Sequence, residues 1–104
     1  MSKLSTTTAE HLPNPHPGEI LSDEFMVPMG LSQNALARAI QVPPRRINEI
    51  VKAQRAITAD TDLRLARYFG VSEGFFLALQ AEYDLMQRKR QIGDILNDIH
   101  PHAA

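Results

Sequence analysis

The chain has 104 residues, of which 43% are hydrophobic, with no cysteine and a formal net charge of −1. This length predicts one small domain, and the lack of cysteine excludes disulfides, thiolate metal sites and a cysteine nucleophile. No run approaches the roughly 18 apolar residues of a membrane span, and the amino terminus lacks the apolar stretch of a signal peptide. We therefore expect a cytoplasmic protein that does not associate with a membrane.

The amino-terminal residues 1–16 are predicted to form a flexible arm, because alternating prolines favour an extended backbone. The first helix is expected to begin at Pro17, since a proline in the first turn loses no helical hydrogen bond. Its buried face is predicted to contain Ile20, Leu21 and Phe25.

The segment from Ser32 to Lys52 predicts two short helices joined by a tight turn. Ser32 is expected to cap the first helix, and Pro43 or Pro44 to begin the second. Apolar residues recur three to four positions apart in both halves, at Leu36, Ala37, Ile40, Ile47, Ile50 and Val51. This pattern is typical of a helix-turn-helix, whose second helix enters the DNA major groove. An ordinary helical hairpin shows the same periodicity.

The charge of this segment separates the two interpretations. Residues 32–57 contain five basic side chains and one acidic side chain, a local charge of +4, whereas the rest carries six basic and eleven acidic side chains, or −5. Such a distribution presents one positive face to phosphates while the remainder is repelled by them. We therefore predict binding to duplex DNA, and with it an association with the nucleoid.

Helical geometry predicts which side chains of the second helix face the groove. If its isoleucines face the core, the opposite side presents Pro44, Arg45, Asn48, Glu49 and Lys52. Arg45 suits the guanine atoms O6 and N7, and Asn48 suits N6 and N7 of adenine. Glu49 is expected either to accept a hydrogen bond from cytosine N4 or to pair with Arg45 or Arg46.

Phosphate contacts are expected around this face. Ser32 and Gln33 begin the preceding helix, where backbone N–H groups and a side-chain amide suit a phosphate. Arg38, Arg46 and Arg55 are predicted to contact phosphates rather than bases. The alternative for each arginine is a solvated surface charge.

A fourth helix is predicted between Thr58 and Gly70, which fit its amino-terminal cap and its end. Leu63, Ala66 and Phe69 are expected to face inward. The pattern up to this point contains helices only, and it predicts an all-α domain.

A fifth helix is predicted from Ser72 as its cap, with Phe76, Leu79, Tyr83 and Met86 as core residues at helical spacing. We expect the domain to cover residues 17–90 and a carboxy-terminal extension to cover 91–104. The extension carries an apolar stripe at Ile92, Ile95, Leu96 and Ile99. This stripe is surplus to a five-helix core, so it predicts either a dimer contact or packing back on the domain.

No motif predicts an enzyme, a cofactor or a metal site. A phosphate-binding glycine loop, a His-Glu-x-x-His pair and a nucleophile elbow are all missing from the sequence. The histidines lie in the expected tails, at His11, His16, His100 and His102, where solvation is favoured over metal binding. RNA binding is disfavoured because no aromatic residue interrupts the basic segment to stack on bases.

Three motifs indicate a known family: Pro17-Gly18-Glu19-Ile20-Leu21, Leu31-Ser32-Gln33 and Gln80-Ala81-Glu82-Tyr83-Asp84-Leu85. With them the chain resembles the HigA-type antitoxins of the Cro/repressor-type (XRE) helix-turn-helix superfamily. The resemblance implies a five-helix, lambda-repressor-like domain that binds double-stranded operator DNA as a homodimer. It also implies a partner toxin, usually a small ribosome-dependent mRNA endonuclease, and repression of the protein's own operon.

The chain departs from the usual pattern of this family at three places, the first being the turn between the second and third helices. Gln41 stands where a glycine is usual, at a site that commonly needs a positive φ, which costs a non-glycine residue about 1 kcal/mol. Lys52-Ala53 replaces a common Asn-Gly pair, and Phe75-Phe76 replaces a common tryptophan.

The remaining acidic charge predicts where a basic toxin would bind. We expect the toxin to contact the arm together with Glu19, Asp23 and Glu24 of the first helix, on a face separate from the DNA-binding helix. The alternative is a disordered arm and a solvated acidic face. Two other function classes stay open, a solitary repressor without a toxin and a helical adaptor that binds only protein.

Overall fold

The computed structural model describes residues 12–103, which form helices joined by short turns, with no strand in this part of the chain. Helix α1 begins at Pro17–Ile20 and continues without a break as a π-helical segment, Leu21–Met26. The other helices are α2, Gln33–Ile40; α3, Pro44–Val51; α4, Ala59–Phe69; and α5, Phe75–Asn97. The predicted all-α, five-helix fold is therefore confirmed. Residues 1–11 of the predicted arm, including His11, lie outside the described residues.

The core lies where α1, α2 and α3 meet, with α4 and α5 packed around them. Its largest fully buried apolar side chains are Phe76, Leu21, Leu36, Ile47, Ile50, Ile57 and Leu65. The inward faces predicted for α2 and α3 are confirmed, because their leucine, alanine and isoleucines are buried. The rings of Phe25, Phe69 and Phe76 extend this core, with the Phe25 and Phe69 centroids 4.9 Å apart.

The expectation for α4 is wrong at one position. Leu63 is 49% exposed, whereas Leu65 and Ala66 are buried. The inward face of α4 is centred near Asp62, and each residue turns the helix by about 100°, so Leu63 points to the side. The same inward face carries Asp62, which hydrogen-bonds to the start of α5.

Gly18 allows α1 to approach the backbone of α3 directly. A Cβ atom at this position would lie 1.7 Å from the carbonyl oxygen of Ile50 and 3.0 Å from the Cα of Val51. No side chain fits into that space. The Pro-Gly opening of α1 therefore has a packing reason: proline begins the helix at its first position, and glycine seats it against α3.

The start of α5 differs from the sequence prediction. Ser72 is not its cap: the helix begins at Phe75, after Gly74 in a left-handed conformation with φ 93°. The buried carboxylate of Asp62 accepts hydrogen bonds from the backbone N–H groups of Gly74 (2.6 Å) and Leu77 (2.9 Å). The first turn of α5 is therefore capped from α4 rather than by a residue before it.

Gln80 connects α5 to the loop that follows α3. Its buried Oε1 accepts a hydrogen bond from the N–H of Ile57 at 2.8 Å, and its Nε2 donates to Asp84 Oδ1 at 3.0 Å. The side chain thereby satisfies a buried backbone donor that has no helical partner. Two polar residues of the motif at 80–85 thus have a structural role.

Residues 12–16 pack along α5, whereas the sequence predicts a flexible arm over residues 1–16. Asn14 Nδ2 donates to the carbonyl oxygen of Tyr83 at 3.1 Å, and Arg90 donates to the carbonyl oxygen of Leu12. His16 packs edge-on against the Tyr83 ring, with 4.9 Å between centroids. His16, the last residue before α1, has an extended backbone with φ −68° and ψ 145°, and polar groups of this segment find partners on a helix distant in sequence.

The carboxy-terminal half of α5 is mostly exposed. The helix continues past residue 90 to Asn97, with a local departure at Ile92, where φ is −117° and ψ is 19°. Ile95 is 59% exposed, Leu96 41% and Ile99 63%. Ile92 is half-buried, so three of the four residues of the stripe are exposed within the described residues.

Candidate nucleic-acid interface

The turn between α2 and α3 has the geometry that the sequence predicts. Gln41 ends α2 in a left-handed conformation, with φ 60° and ψ 49°, so the expected positive φ is confirmed. Arg64 of α4 donates from Nη1 to the carbonyl oxygens of Ile40 (2.8 Å) and Gln41 (3.2 Å). A cation at the carboxy-terminal end of a helix is favourable, and it offsets part of the cost of the strained glutamine.

Helix α3 exposes the side that helical geometry assigns to the groove. Pro44 occupies its first position, and Pro44, Arg45 and Lys52 are exposed, whereas Asn48 and Glu49 are half-buried. The side chain of Arg45 is 84% exposed. Helix α3 thus presents a proline, two cations and two hydrogen-bonding side chains on one outward face.

Glu49 pairs with two arginines of this surface. Its Oε2 lies 2.9 Å from Arg45 Nε, and its Oε1 lies 2.9 Å from Arg55 Nε and 2.8 Å from Arg55 Nη2. Hydrogen bonds from Arg45 and then Arg55 hold the pKa of the Glu49 carboxyl below its usual value. The sequence leaves open either a cytosine contact or an ion pair for Glu49. The structure contains the ion pair, and its partners are Arg45 and Arg55 rather than Arg46.

Arg46 instead pairs with α4. Its Nη1 lies 2.7 Å from Asp60 Oδ2, and the same oxygen lies 3.0 Å from Arg64 Nε. Hydrogen bonds from Arg46 and then Arg64 lower the pKa of Asp60. Because Arg64 also holds the turn after α2, this network connects α3, α4 and the turn. Asp60 lies in the first turn of α4, where an acidic residue also suits the helix dipole, and nothing local in the sequence indicates a partner fourteen positions away.

The amino terminus of α2 lies beside the middle of α3. Asn48 Nδ2 donates to Gln33 Oε1 at 3.0 Å, which joins a predicted base contact to a predicted phosphate contact. Ser32 Oγ accepts a hydrogen bond from the N–H of Ala35 at 3.1 Å, so the predicted cap is confirmed. Arg38 is exposed on α2 and Arg55 is exposed in the loop after α3.

The predicted toxin-binding acids lie elsewhere. Glu19, Asp23 and Glu24 are exposed on α1 and its π-helical continuation.

In the part of the chain from 12 to 103, His100 and His102 belong to no group of three residues that could hold a metal ion. None of the helices described over the same range is long and apolar enough to cross a membrane.

The fold and the arrangement of α2 and α3 define a helix-turn-helix protein, and comparisons with known proteins agree. A family model described as helix-turn-helix matches residues 24–76. Virulence-associated protein I of Dichelobacter nodosus is 54% identical over 88 residues, which cover 82% of each chain.

Two solved structures are similar over almost their whole length. The antitoxin HigA of Pseudomonas aeruginosa with the higBA promoter is 42% identical, with a TM-score of 0.82, over 88% of this chain and 100% of that chain. The antitoxin GraA in complex with its operator is 37% identical, with a TM-score of 0.82, over 89% and 95%. The chain belongs to the helix-turn-helix family and, within it, to the HigA-type antitoxins.

Proposed function

We propose that the protein is a DNA-binding antitoxin that represses its own operon and neutralises a partner toxin. The observation that carries this proposal is the exposed basic face of α3 on a helix-turn-helix fold shared with two proteins solved with promoter or operator DNA. In this proposal the protein acts by binding rather than by catalysis, and binding to its operator implies an association with the nucleoid in the cytoplasm.

The positions of these side chains support a division of the proposed DNA contacts into base contacts and phosphate contacts. Arg45 extends from the first turn of α3 and is the proposed guanine contact. Asn48 lies one turn later beside Gln33, so the proposed adenine and phosphate contacts support each other. The proposed phosphate contacts surround them, and they are Ser32, Gln33, Arg38, Arg46, Lys52 and Arg55.

The proposed dimer contact is the exposed apolar side of α5. Leu85, which is 71% exposed, lies on the same helix as the predicted stripe at Ile92, Ile95 and Leu96, with Ile99 just beyond its end. A groove there of about 660 Å³ is lined by Leu85, Met86, Ile92 and Leu96 together with charged residues. Pairing two copies across this surface removes apolar area from water and presents two α3 helices to half-sites roughly 34 Å apart.

The proposed toxin surface is the acidic side of α1. Glu19, Asp23 and Glu24 lie close in sequence to a turn in which Val27 is 69% and Met29 56% exposed. Apolar side chains beside carboxylates suit a basic protein partner. Because this surface is on a different helix from Arg45, the protein is expected to hold toxin and DNA at the same time.

Two measurements test the proposal. Binding to a duplex taken from upstream of the gene is compared with binding to a shuffled duplex of equal length, at several salt concentrations. The protein is then co-expressed with the product of the neighbouring reading frame and purified through one affinity tag. Preference for the upstream duplex with co-purification of a growth-inhibiting partner supports an antitoxin, whereas DNA preference without a partner supports the solitary repressor. Equal binding to both duplexes overturns the operator proposal.

A further inference from the structure

Glu49 holds the two arginines of the α3 surface on separate oxygens. Arg45 lies one turn before it on α3 and contacts Oε2, while Arg55 reaches back from the following loop to Oε1. The Glu49 side chain is 21% exposed, against 84% for Arg45 and 46% for Arg55. The carboxylate is thus set between two cations at the place where α3 is expected to approach DNA.

The atoms used by Arg45 leave its recognition edge free. Arg45 donates to Glu49 through Nε, whereas guanine is read by a bidentate contact that two guanidinium N–H groups make with O6 and N7. Among the described residues, this is the only side-chain hydrogen bond of Arg45. The Glu49 carboxylate therefore orients the planar guanidinium and leaves both terminal Nη groups for a base.

The charge of the carboxylate also lowers the affinity of the protein for DNA of any sequence. This negative charge faces phosphates and groove acceptors, and it cancels part of the attraction that Arg45 and Arg55 give to any sequence. Only a guanine within reach of Arg45 forms the bidentate contact, which typically favours the correct base over a wrong one by about 1–3 kcal/mol. A charge that opposes all sequences equally leaves the ratio of their affinities unchanged, so the preference comes from the orientation of Arg45 toward the one base that it contacts.

We infer that Glu49 is a positioning and specificity-determining residue, which orients Arg45 for one base while its charge lowers the affinity for DNA of any sequence. This inference rests on the proposed DNA-binding function. The two arginine hydrogen bonds keep the carboxyl ionised, since they lower its pKa. A cytosine contact by Glu49 is not required, because both of its oxygens already have partners.

The test compares Glu49→Gln with Glu73→Gln, which removes the same charge from an exposed site in the turn before α5. Affinities are measured by fluorescence anisotropy on the upstream duplex and on a shuffled duplex, over a series of salt concentrations. We expect Glu49→Gln to lower the ratio of operator to shuffled affinity by about five- to tenfold. The shuffled duplex should bind more tightly, with a salt dependence steeper by about one phosphate contact. Glu73→Gln should leave the ratio unchanged.

A second variant distinguishes positioning through Arg45 from a general effect on folding. In the Arg45→Ala background, Glu49→Gln should have no further effect on operator preference, because the side chain that it orients is gone. If Glu49→Gln retains the wild-type ratio, or if its effect on the ratio is the same with and without Arg45, the inference is overturned. Failure of the wild-type protein to prefer the upstream duplex instead contradicts the proposed function.

Discussion

At the scale of single residues, neighbouring arginines of α3 differ in their exposure and in their ion-pair partners. Arg45 is the most exposed of the paired arginines, whereas Arg46 is 27% exposed and pairs with Asp60 of α4. The Arg45 guanidinium is held only from its own helix and keeps its outer edge open to a base, whereas the Arg46 guanidinium is held against a second helix and is limited to what lies beside it. This difference predicts unequal roles for neighbouring arginines.

Replacing Arg45 or Arg55 by alanine separates base recognition from phosphate binding. Arg45→Ala should cost about 1–3 kcal/mol on the operator and relax the preference at one base pair. Arg55→Ala should weaken all sequences alike and reduce the slope of log K against log salt by about 0.9. Affinities on a set of single-base operator variants measure both effects. Equal losses on operator and shuffled DNA for Arg45→Ala would contradict its assignment.

Gly18 and Gly93 provide a matched pair of glycine positions. Gly18→Ala should destabilise the fold by about 1–3 kcal/mol, because the new Cβ has no room beside the Ile50 carbonyl and α1 must move away from α3. Gly93→Ala, with open space around it on α5, should stabilise by about 0.5–1 kcal/mol. Urea unfolding monitored by circular dichroism gives both values. A Gly18→Ala protein as stable as the wild type would show that the contact is not required.

At the scale of elements, helix ends are satisfied by residues from other helices. Asp62 of α4 caps α5, Arg64 of α4 holds the end of α2, and Gln80 of α5 receives the N–H of Ile57. Buried donors without such partners are costly. Helix α4 therefore contributes to the position of the DNA-binding helix although it carries no proposed base contact.

The cap of α1 predicts a pH dependence of stability. His16 Nδ1 accepts a hydrogen bond from the N–H of Gly18 at 2.9 Å, which requires the neutral ring. Burial lowers the pKa of His16, and the nearby Asp84 carboxylate raises it by less. The unfolded chain therefore binds this proton more readily, and the contribution of His16 is present above its unfolded pKa of about 6.5 and is lost as the pH falls through the lower folded value.

Unfolding free energies of the wild type and of His16→Asn, measured between about pH 5 and 7.5, check this expectation. Asparagine also caps helices but does not titrate in this range. As the pH falls, the unfolding free energy of the wild type should decrease relative to that of His16→Asn. A difference that does not vary with pH would show that His16 is not linked to folding in this way.

At the scale of the whole molecule, several exposed apolar side chains of the described chain lie together on one projecting helix. They lie at the end of α5 that extends beyond the contacts with the other helices, where Leu96 and Ile99 are exposed. A second copy is the proposed occupant of this surface, since operator recognition by paired half-sites requires two α3 helices.

Charge placed in this surface should separate the copies. Leu96→Asp should shift the protein toward a monomer in light scattering at micromolar concentration and weaken operator binding. Leu63→Asp is the matched control, because Leu63 is a similarly exposed leucine on α4, at 49% against 41% for Leu96. A wild-type monomer on DNA as well as off it, or equal effects of both substitutions, would contradict the proposed dimer surface.

The sequence by itself determined the helix-turn-helix and several helix limits, because these depend on signals that act within one turn. Pro17 and Pro44 begin helices through their restricted φ, Ser32 caps α2, and Gly70 ends α4 in a left-handed conformation. The buried isoleucines of α3 follow from helical periodicity. The roles of these residues can be predicted without information on residues distant in sequence.

Only the tertiary structure decided which polar groups meet. Arg46 pairs with Asp60, Asp62 caps α5 in place of Ser72, and Gln80 binds the N–H of Ile57. These partners are 12 to 23 positions apart, and a pair at such a distance depends on how whole helices pack rather than on local propensity. The partners of Glu49 show both cases: Arg45 is one helical turn away and was foreseen, whereas Arg55 reaches Glu49 because the loop after α3 turns back toward it.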